Sequence, residues 1–187
     1  MKPDAQLIDE ALGGDSAAFG QLVTRYQDRL YNTLVHVVGS VDAARDVAQD
    51  ALVQAYVKLE TFERASGFYT WLYRIAMNMA ISYRRRDKPT VSVEHAREAL
   101  GHEPIDRGES PTAQLEQRER ACQVQAALAT LSEEHRAILI LREIDGCAYE
   151  QIAAILDLPI GTIRSRLFRA RLQLRDQLKG SFQEEAK

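Results

Sequence analysis

Apolar residues recur along this chain with the 3.6-residue period of an α-helix, and two-residue alternation is almost absent, so the pattern predicts an all-α protein. Leu7, Ile8, Ala11 and Leu12 open the series, and Gly13-Gly14-Asp15 interrupts it. Phe19, Leu22, Val23, Tyr26, Leu30, Leu34, Val37 and Val38 then line one face of a long helix that stops at Gly39-Ser40. Ala44, Val47, Ala51, Ala55 and Leu59 form the next apolar seam, with Asp42, Arg45, Asp46, Gln49, Asp50 and Gln54 on the other faces. A polar connection over 60–67 leads to a helix that ends before Pro89, where the ring disfavours continuation. Periodicity fades over 90–111, where Pro104, Pro111, Gly101 and Gly108 mix with charges, and it returns at Gln114. The expectation is two small helical domains, residues 6–88 and 114–180, joined by a flexible linker over 89–113. In the second domain Leu128, Leu131, Ile138, Leu141, Ile144, Ile152, Ile155 and Leu156 are the candidate core.

The end of the second domain reads as a helix-turn-helix. Ile152, Ala153 and Leu156 give a short helix its apolar stripe, Pro159 and Gly161 break it, and Thr162 can cap or open the helix that follows. At about 100° per residue, Ile163, Leu167, Ala170 and Leu174 fall on one stripe. Ser165 and Arg169 fall opposite, with Arg164 and Arg166 flanking. From Thr162 to Lys179 the basic residues are Arg164, Arg166, Arg169, Arg171, Arg175 and Lys179, against the single acid Asp176. Behind a Pro/Gly turn, such a helix fits a major groove, where arginine reaches guanine edges and phosphates. Phe168 lies on the nominally exposed side, where it would meet an apolar partner or a thymine methyl.

The helix after residue 67 carries a second candidate surface. Phe68, Tyr69, Trp71, Tyr73, Arg74 and Asn78 fall within three turns, and Arg84, Arg85 and Arg86 follow near its end. Aromatic faces, a cation and an amide are the means of holding unpaired bases, and clustered arginines suit phosphates as well as a helix C-terminus. Aromatic core packing is the competing reading, and Trp71 and Ile75, one turn apart, serve either.

Composition narrows the class. The 187 residues are 45% hydrophobic and 27% charged with a formal net charge of -3, so the basicity of the last helix is local. No signal-peptide pattern opens the chain and no apolar run reaches membrane-spanning length, which leaves the cytoplasm as the expectation. Cys122 and Cys147 have no Cys or His neighbours at metal spacing and are expected to be reduced thiols. His36, His95, His102 and His135 are scattered, so neither a metal nor a His-based catalytic constellation is expected.

Three blocks in this order resemble the extracytoplasmic-function group of bacterial RNA polymerase sigma factors, and its stress-response, sigma-E-like members in particular. They are Asp46-Val47-Ala48-Gln49-Asp50-Ala51-Leu52-Val53-Gln54-Ala55-Tyr56, Phe68-Tyr69-Thr70-Trp71-Leu72-Tyr73-Arg74-Ile75-Ala76-Met77-Asn78, and Leu141-Arg142-Glu143-Ile144-Asp145-Gly146 with Tyr149-Glu150-Gln151-Ile152-Ala153. The resemblance covers nearly the whole chain. It implies a first domain that binds core RNA polymerase and reads and melts the minus-ten element, and a second that binds the minus-thirty-five element. By position, Asp46, Gln49, Asp50, Val53 and Gln54 would dock on the polymerase. Arg64, Phe68, Tyr69, Trp71, Tyr73, Arg74, Asn78, Arg84 and Arg85 would meet minus-ten DNA, with 63–67 as the loop that receives a flipped-out base. Thr162, Arg164, Ser165, Arg166, Phe168, Arg169 and Arg171 would meet the minus-thirty-five duplex. The resemblance further implies an anti-sigma partner, nucleoid association when bound to polymerase or retention at the membrane by that partner, no cofactor and no catalysis.

Two other classes compete. An operator-binding regulator would need a dimer seam or a sensing module, and the first half has neither a strand-helix receiver pattern nor a phosphate-binding glycine loop. A nuclease would need grouped carboxylates or histidines, which the spacing does not supply.

Overall fold

The computed structural model of the protein describes residues 2–86 and 111–184, and for 111–118 and 180–184 the backbone alone. Most of the expected linker, 89–113, lies outside the described residues, as do Lys88, His95 and His102. Among the described residues there are eight α-helices and no strand.

Four helices build the first half: α1 (Asp4–Leu12), α2 (Ser16–Val38), α3 (Val41–Val57) and α4 (Phe68–Arg86). Their limits follow local chemistry. The Asp15 carboxylate accepts from the Ala17 amide at 2.9 Å and starts α2, and Gly39, at φ 82°, ends it in the left-handed conformation that glycine adopts without cost. The Ser40 hydroxyl accepts from the Ala43 amide and starts α3. Leu7, Leu22, Leu30, Leu34, Leu72 and Met77 are fully buried between these helices. Each such side chain contributes roughly 1.5–3 kcal/mol of burial free energy. Ala44, Ala51 and Ala55 are also fully buried, and these small residues let α3 lie close against α2 and α4.

The second half holds α5 (Pro111–Ala129), α6 (Glu133–Leu139), α7 (Tyr149–Leu156) and α8 (Ile160–Glu184). Ser132 caps α6 through the His135 amide. A turn of π-helix, Ile140–Ile144, continues α6, closed by Asp145 N–H donating to the Ile140 carbonyl at 3.0 Å. Ile138, Ile152, Ile155 and Ile163 are fully buried, with Leu167 and Ala170 beside them.

Four expectations need correction. Helix α5 begins at Pro111 rather than Gln114, which suits proline because a first-turn amide has no helical acceptor. Gly161 lies inside α8, which starts at Ile160; Thr162 and Ile163 donate to the Pro159 carbonyl, so Thr162 is a first-turn residue and not a cap. Asp157, at φ 54°, makes the break instead. Ile144, expected in the core, is 49% exposed at the end of the π-turn.

The two halves pack on one another. Helix α4 lies against α2 and α3 on one side and against α6 and α7 on the other. The buried apolar residues of both halves form one continuous cluster.

Candidate nucleic-acid and polymerase interface

On α3, Asp46, Gln49, Asp50, Val53 and Gln54 all lie exposed, because the alanine seam takes the opposite face to the core. Val53, Tyr56 and Val57 are large apolar side chains left open to solvent beside these polar groups. A groove of about 680 Å³ runs between α2 and α3, lined by Phe19, Val23, Tyr31, Leu52, Val53 and Tyr56 with Gln27, Asp28, Arg45 and Gln49. Apolar side chains rimmed by amides and carboxylates are the composition of a protein-docking surface.

The aromatic block of α4 divides between core and surface. Phe68 is buried, edge-on to Phe19 and Phe62 with ring centroids 6.5 and 5.9 Å away. Tyr73 is fully buried, its hydroxyl 3.2 Å from that of Thr33. Because the Thr33 hydroxyl donates to the Arg29 carbonyl at 2.9 Å, Tyr73 is the donor of this pair. Arg84 is buried too and donates to the Val38 carbonyl at 2.9 Å. Phe68, Tyr73 and Arg84 were expected to meet DNA. They hold the first half together instead, because the helical phase that carries Leu72 and Ala76 into the core carries them with it.

The remaining members form a surface. Trp71 is half-buried, its ring 5.2 Å from Phe62 and 5.7 Å from Phe68, so it is partly core and partly open. Asn78 and Arg74 are exposed, and Arg74 Nε donates to the Ala154 carbonyl of α7 at 2.8 Å. Tyr69 stacks 4.1 Å from Tyr73, and Arg29 of α2 lies 4.5 Å above its ring. The Tyr69 hydroxyl donates to Asp145, and Arg29 donates to the same residue through Nε to the carboxylate at 2.8 Å and through Nη2 to the carbonyl at 2.7 Å. Burial first, and the Asp145 carboxylate second, push the Tyr69 phenol well above its ordinary pKa. Cys147 lies buried at the same place, its sulfur 3.3 Å from the Tyr69 hydroxyl, and burial pushes this thiol up. Arg64 pairs with Asp9, and Arg85 pairs with Glu134 of the second half at 3.1 Å.

On α8 the packed face is the expected one, with Ile163, Leu167 and Ala170 buried. Arg164 and Arg169 are exposed and, among the described residues, have no ion-pair partner. Ser165 is exposed and its hydroxyl donates to the Thr162 carbonyl at 3.1 Å, while Phe168 stands 65% exposed. Arg166 pairs with Glu134, and Arg171 pairs with Glu143 at 2.6 Å. Glu134 therefore accepts both Arg85 of α4 and Arg166 of α8.

Sequence reasoning missed Arg29, Glu134 and Asp145. Each reads as an ordinary surface charge, and only packing between the halves gives Asp145 its Arg29 partner and Glu134 its Arg85 partner. Asp145 lies in the Leu141 to Gly146 block, and the Asp-Gly pair was the sequence sign of the turn that Gly146 makes at φ 69°.

These parts define an all-α protein with a helix-turn-helix, an exposed mixed polar and apolar face on α3, a partly open aromatic face on α4 and a basic last helix. Among the described residues no helix is long and apolar enough to cross a membrane. Family models described as "Sigma-70 region 2" and "Sigma-70, region 4" match residues 22–90 and 123–174. The RNA polymerase sigma-H factor of Pseudomonas aeruginosa is 39% identical over 176 residues, covering 91% of either chain. The ECF RNA polymerase sigma-E factor of Escherichia coli is 39% identical over 177 residues, covering 90% of either. Among solved structures, CnrH in complex with the cytosolic domain of CnrY matches with a TM-score of 0.69 at 28% identity, over 95% of this chain and 97% of that one. RpoE of Bartonella quintana in complex with the anti-sigma factor NepR matches with a TM-score of 0.64 at 28% identity, over 86% and 96%. The chain belongs to the extracytoplasmic-function group of the sigma-70 family. It is a transcription initiation factor that directs RNA polymerase to promoters, and not an enzyme.

Proposed function

We propose that the three surfaces divide the work of initiation. The exposed face of α3, with Asp46, Gln49, Asp50, Val53 and Gln54, docks on core polymerase, its apolar residues supplying buried area and its carboxylates the orientation. The outer face of α4 and the 63–67 loop hold the melted minus-ten strand, with Tyr69 and Trp71 as stacking faces, Asn78 as a base-edge partner, and Arg64, Arg74 and Arg85 toward phosphates. Stacking is worth roughly 1–3 kcal/mol per base, the same order as the cost of unstacking one, so two such contacts offset melting of a step or two. Thr162, Arg164, Ser165, Arg166, Phe168, Arg169 and Arg171 face the minus-thirty-five major groove. Domain limits of 6–88 and 114–180 fit this division.

Exposure of Arg164 and Arg169 without carboxylate partners among the described residues is the observation that carries the reading, because cations left unpaired on a packed helix are available to a polyanion. The RpoE and CnrH structures are complexes with NepR and CnrY, and the same likeness supports an anti-sigma partner for this chain, held in the cytoplasm or at the membrane according to that partner.

Adding the purified chain to bacterial core polymerase with a pool of promoter fragments tests the division. Transcripts that need both components and start below one shared two-part motif are expected. Duplex binding without such transcripts would favour an operator-binding regulator.

A further inference from the structure

Three donors on the first half find acceptors on the second within one patch: Arg29 and Tyr69 on Asp145, and Arg74 on the Ala154 carbonyl. The Asp145 side chain is only 4% exposed, whereas Arg29 remains 53% exposed, so the carboxylate is inserted among donors that belong to an open surface. The π-turn and Gly146 project it there. Beside it runs a cleft of about 530 Å³, walled by Tyr26, Ser66, Gly67 and Thr70 on one side and by Glu150 and Gln151 on the other.

Two oxygens on one centre, accepting an arginine N–H and a phenol O–H, reproduce what a backbone phosphate offers. The first half brings the cations Arg29 and Arg74 to this patch, both donating across to the second half, and the second half brings the anions Asp145 and Glu150. We propose that Asp145 stands in for a phosphate of single-stranded DNA, closing the second half over the melting surface, and that Arg29 is a phosphate-contact residue once that carboxylate has left. Arg29 lies over the Tyr69 ring while Asp145 holds it, and its move to a phosphate frees that face of the ring for a base. Strand and second half need the same donors, so they exclude each other, and the free chain binds DNA weakly in proportion to the open fraction. The inference rests on the reading that α4 faces the melted strand.

The test uses the full chain with a labelled, mixed-sequence 20-nucleotide single strand as the probe. Opening is followed by the rate at which Cys147, buried beside Tyr69, reacts with a thiol reagent, read by peptide mass so that Cys122 does not interfere. The rate is taken as a full pH profile, because Asp145 touches this sulfur and adds to burial in raising its pKa, so that access is separated from thiol ionisation. Asp145→Asn is isosteric and is expected to speed labelling of Cys147 and to tighten strand binding about fivefold, the open fraction rising accordingly. Arg29→Ala is expected to speed labelling without tightening binding. Combined with Asp145→Asn it should weaken binding and flatten the slope of log affinity against log salt by about 0.7, one phosphate contact on a single strand. Labelling unchanged in Asp145→Asn would show that the carboxylate does not hold the halves together. Faster labelling with unchanged strand affinity would overturn the phosphate stand-in. Equal affinity of Asp145→Asn and the double variant would remove Arg29 from the DNA surface. Failure of the surface assignment itself shows differently: Tyr69→Ala and Asn78→Ala would then leave promoter-dependent transcription intact whatever Asp145 does.

Discussion

Arg84 and Arg136 come from opposite halves of the chain, yet both donate into the last turn of α2, Arg84 to the Val38 carbonyl at 2.9 Å and Arg136 to the Val37 carbonyl at 3.3 Å. Arg136 also holds the Leu128 carbonyl at 2.7 Å, so one guanidinium ties α5 to α2. The end of a helix leaves carbonyls without partners and carries a partial negative charge, which favours two cations there. Burial opposes them. It lowers the Arg136 pKa to about 9, with the Arg84 charge acting in the same direction, and it lowers Arg84 as well.

Gly39 turns the chain beneath this pair at φ 82°. An added methyl would sit 3.6 Å from both guanidiniums, an ordinary contact, so the cost of Gly39→Ala is backbone strain. We expect a loss of about 1 kcal/mol, less for Gly39→Asn, read from denaturant midpoints.

Charge reversal on α3 tests the docking face. Asp50→Lys is exposed and should leave helix content unchanged while abolishing promoter-dependent transcription and core binding. Normal activity would remove α3 from the polymerase interface.

Arg164→Gln and Arg169→Gln should weaken binding to the upstream element, each by about 1–3 kcal/mol where the arginine reads a base and with a shallower salt slope where it meets a phosphate. Transcription from a pre-opened template should change little. Equal loss on both templates would indicate a damaged fold.

Tyr73→Phe separates core from surface within the aromatic block. Removing one buried hydrogen bond is expected to cost about 1 kcal/mol of stability and to leave DNA affinity unaltered. A selective loss of melting activity would return Tyr73 to the DNA surface.

Alkaline pH should loosen the fold through three tyrosines. Burial, aided by Asp4, raises Tyr26 to about 12, and burial raises Tyr69 and Tyr73 further. An unfolded phenol ionises near pH 10, so the native state keeps protons that the unfolded chain gives up. This stabilisation is complete below about pH 10 and declines as pH climbs through the folded values. Phenolate absorbance from Tyr26, Tyr69 and Tyr73 should therefore appear only as helical signal disappears. A single stage near pH 10 with helices intact would contradict it.

Helix order, and the limits set at Asp15, Gly39 and Ser40, were readable because they depend on local chemistry, whereas the starts at Pro111 and Ile160 were not. The face of α8 was readable because Ile163, Leu167 and Ala170 mark one stripe. Phe68, Tyr73 and Arg84 were misjudged because aromatics and arginines serve core and nucleic acid alike, and periodicity on α4 is blurred by apolar residues on most sides. The packing of the halves was invisible, since the partners Arg29 and Asp145, and Arg85 and Glu134, lie far apart in the chain and each reads as an ordinary surface charge.

Tyr69 rests on Tyr73, and Tyr73 is itself immobilised by the core. A flat partner arriving at Tyr69 meets a ring that has already surrendered its rotational freedom, so little entropy remains to be lost on contact. Folding of the first half thus settles in advance a cost that would otherwise fall at the moment of recognition.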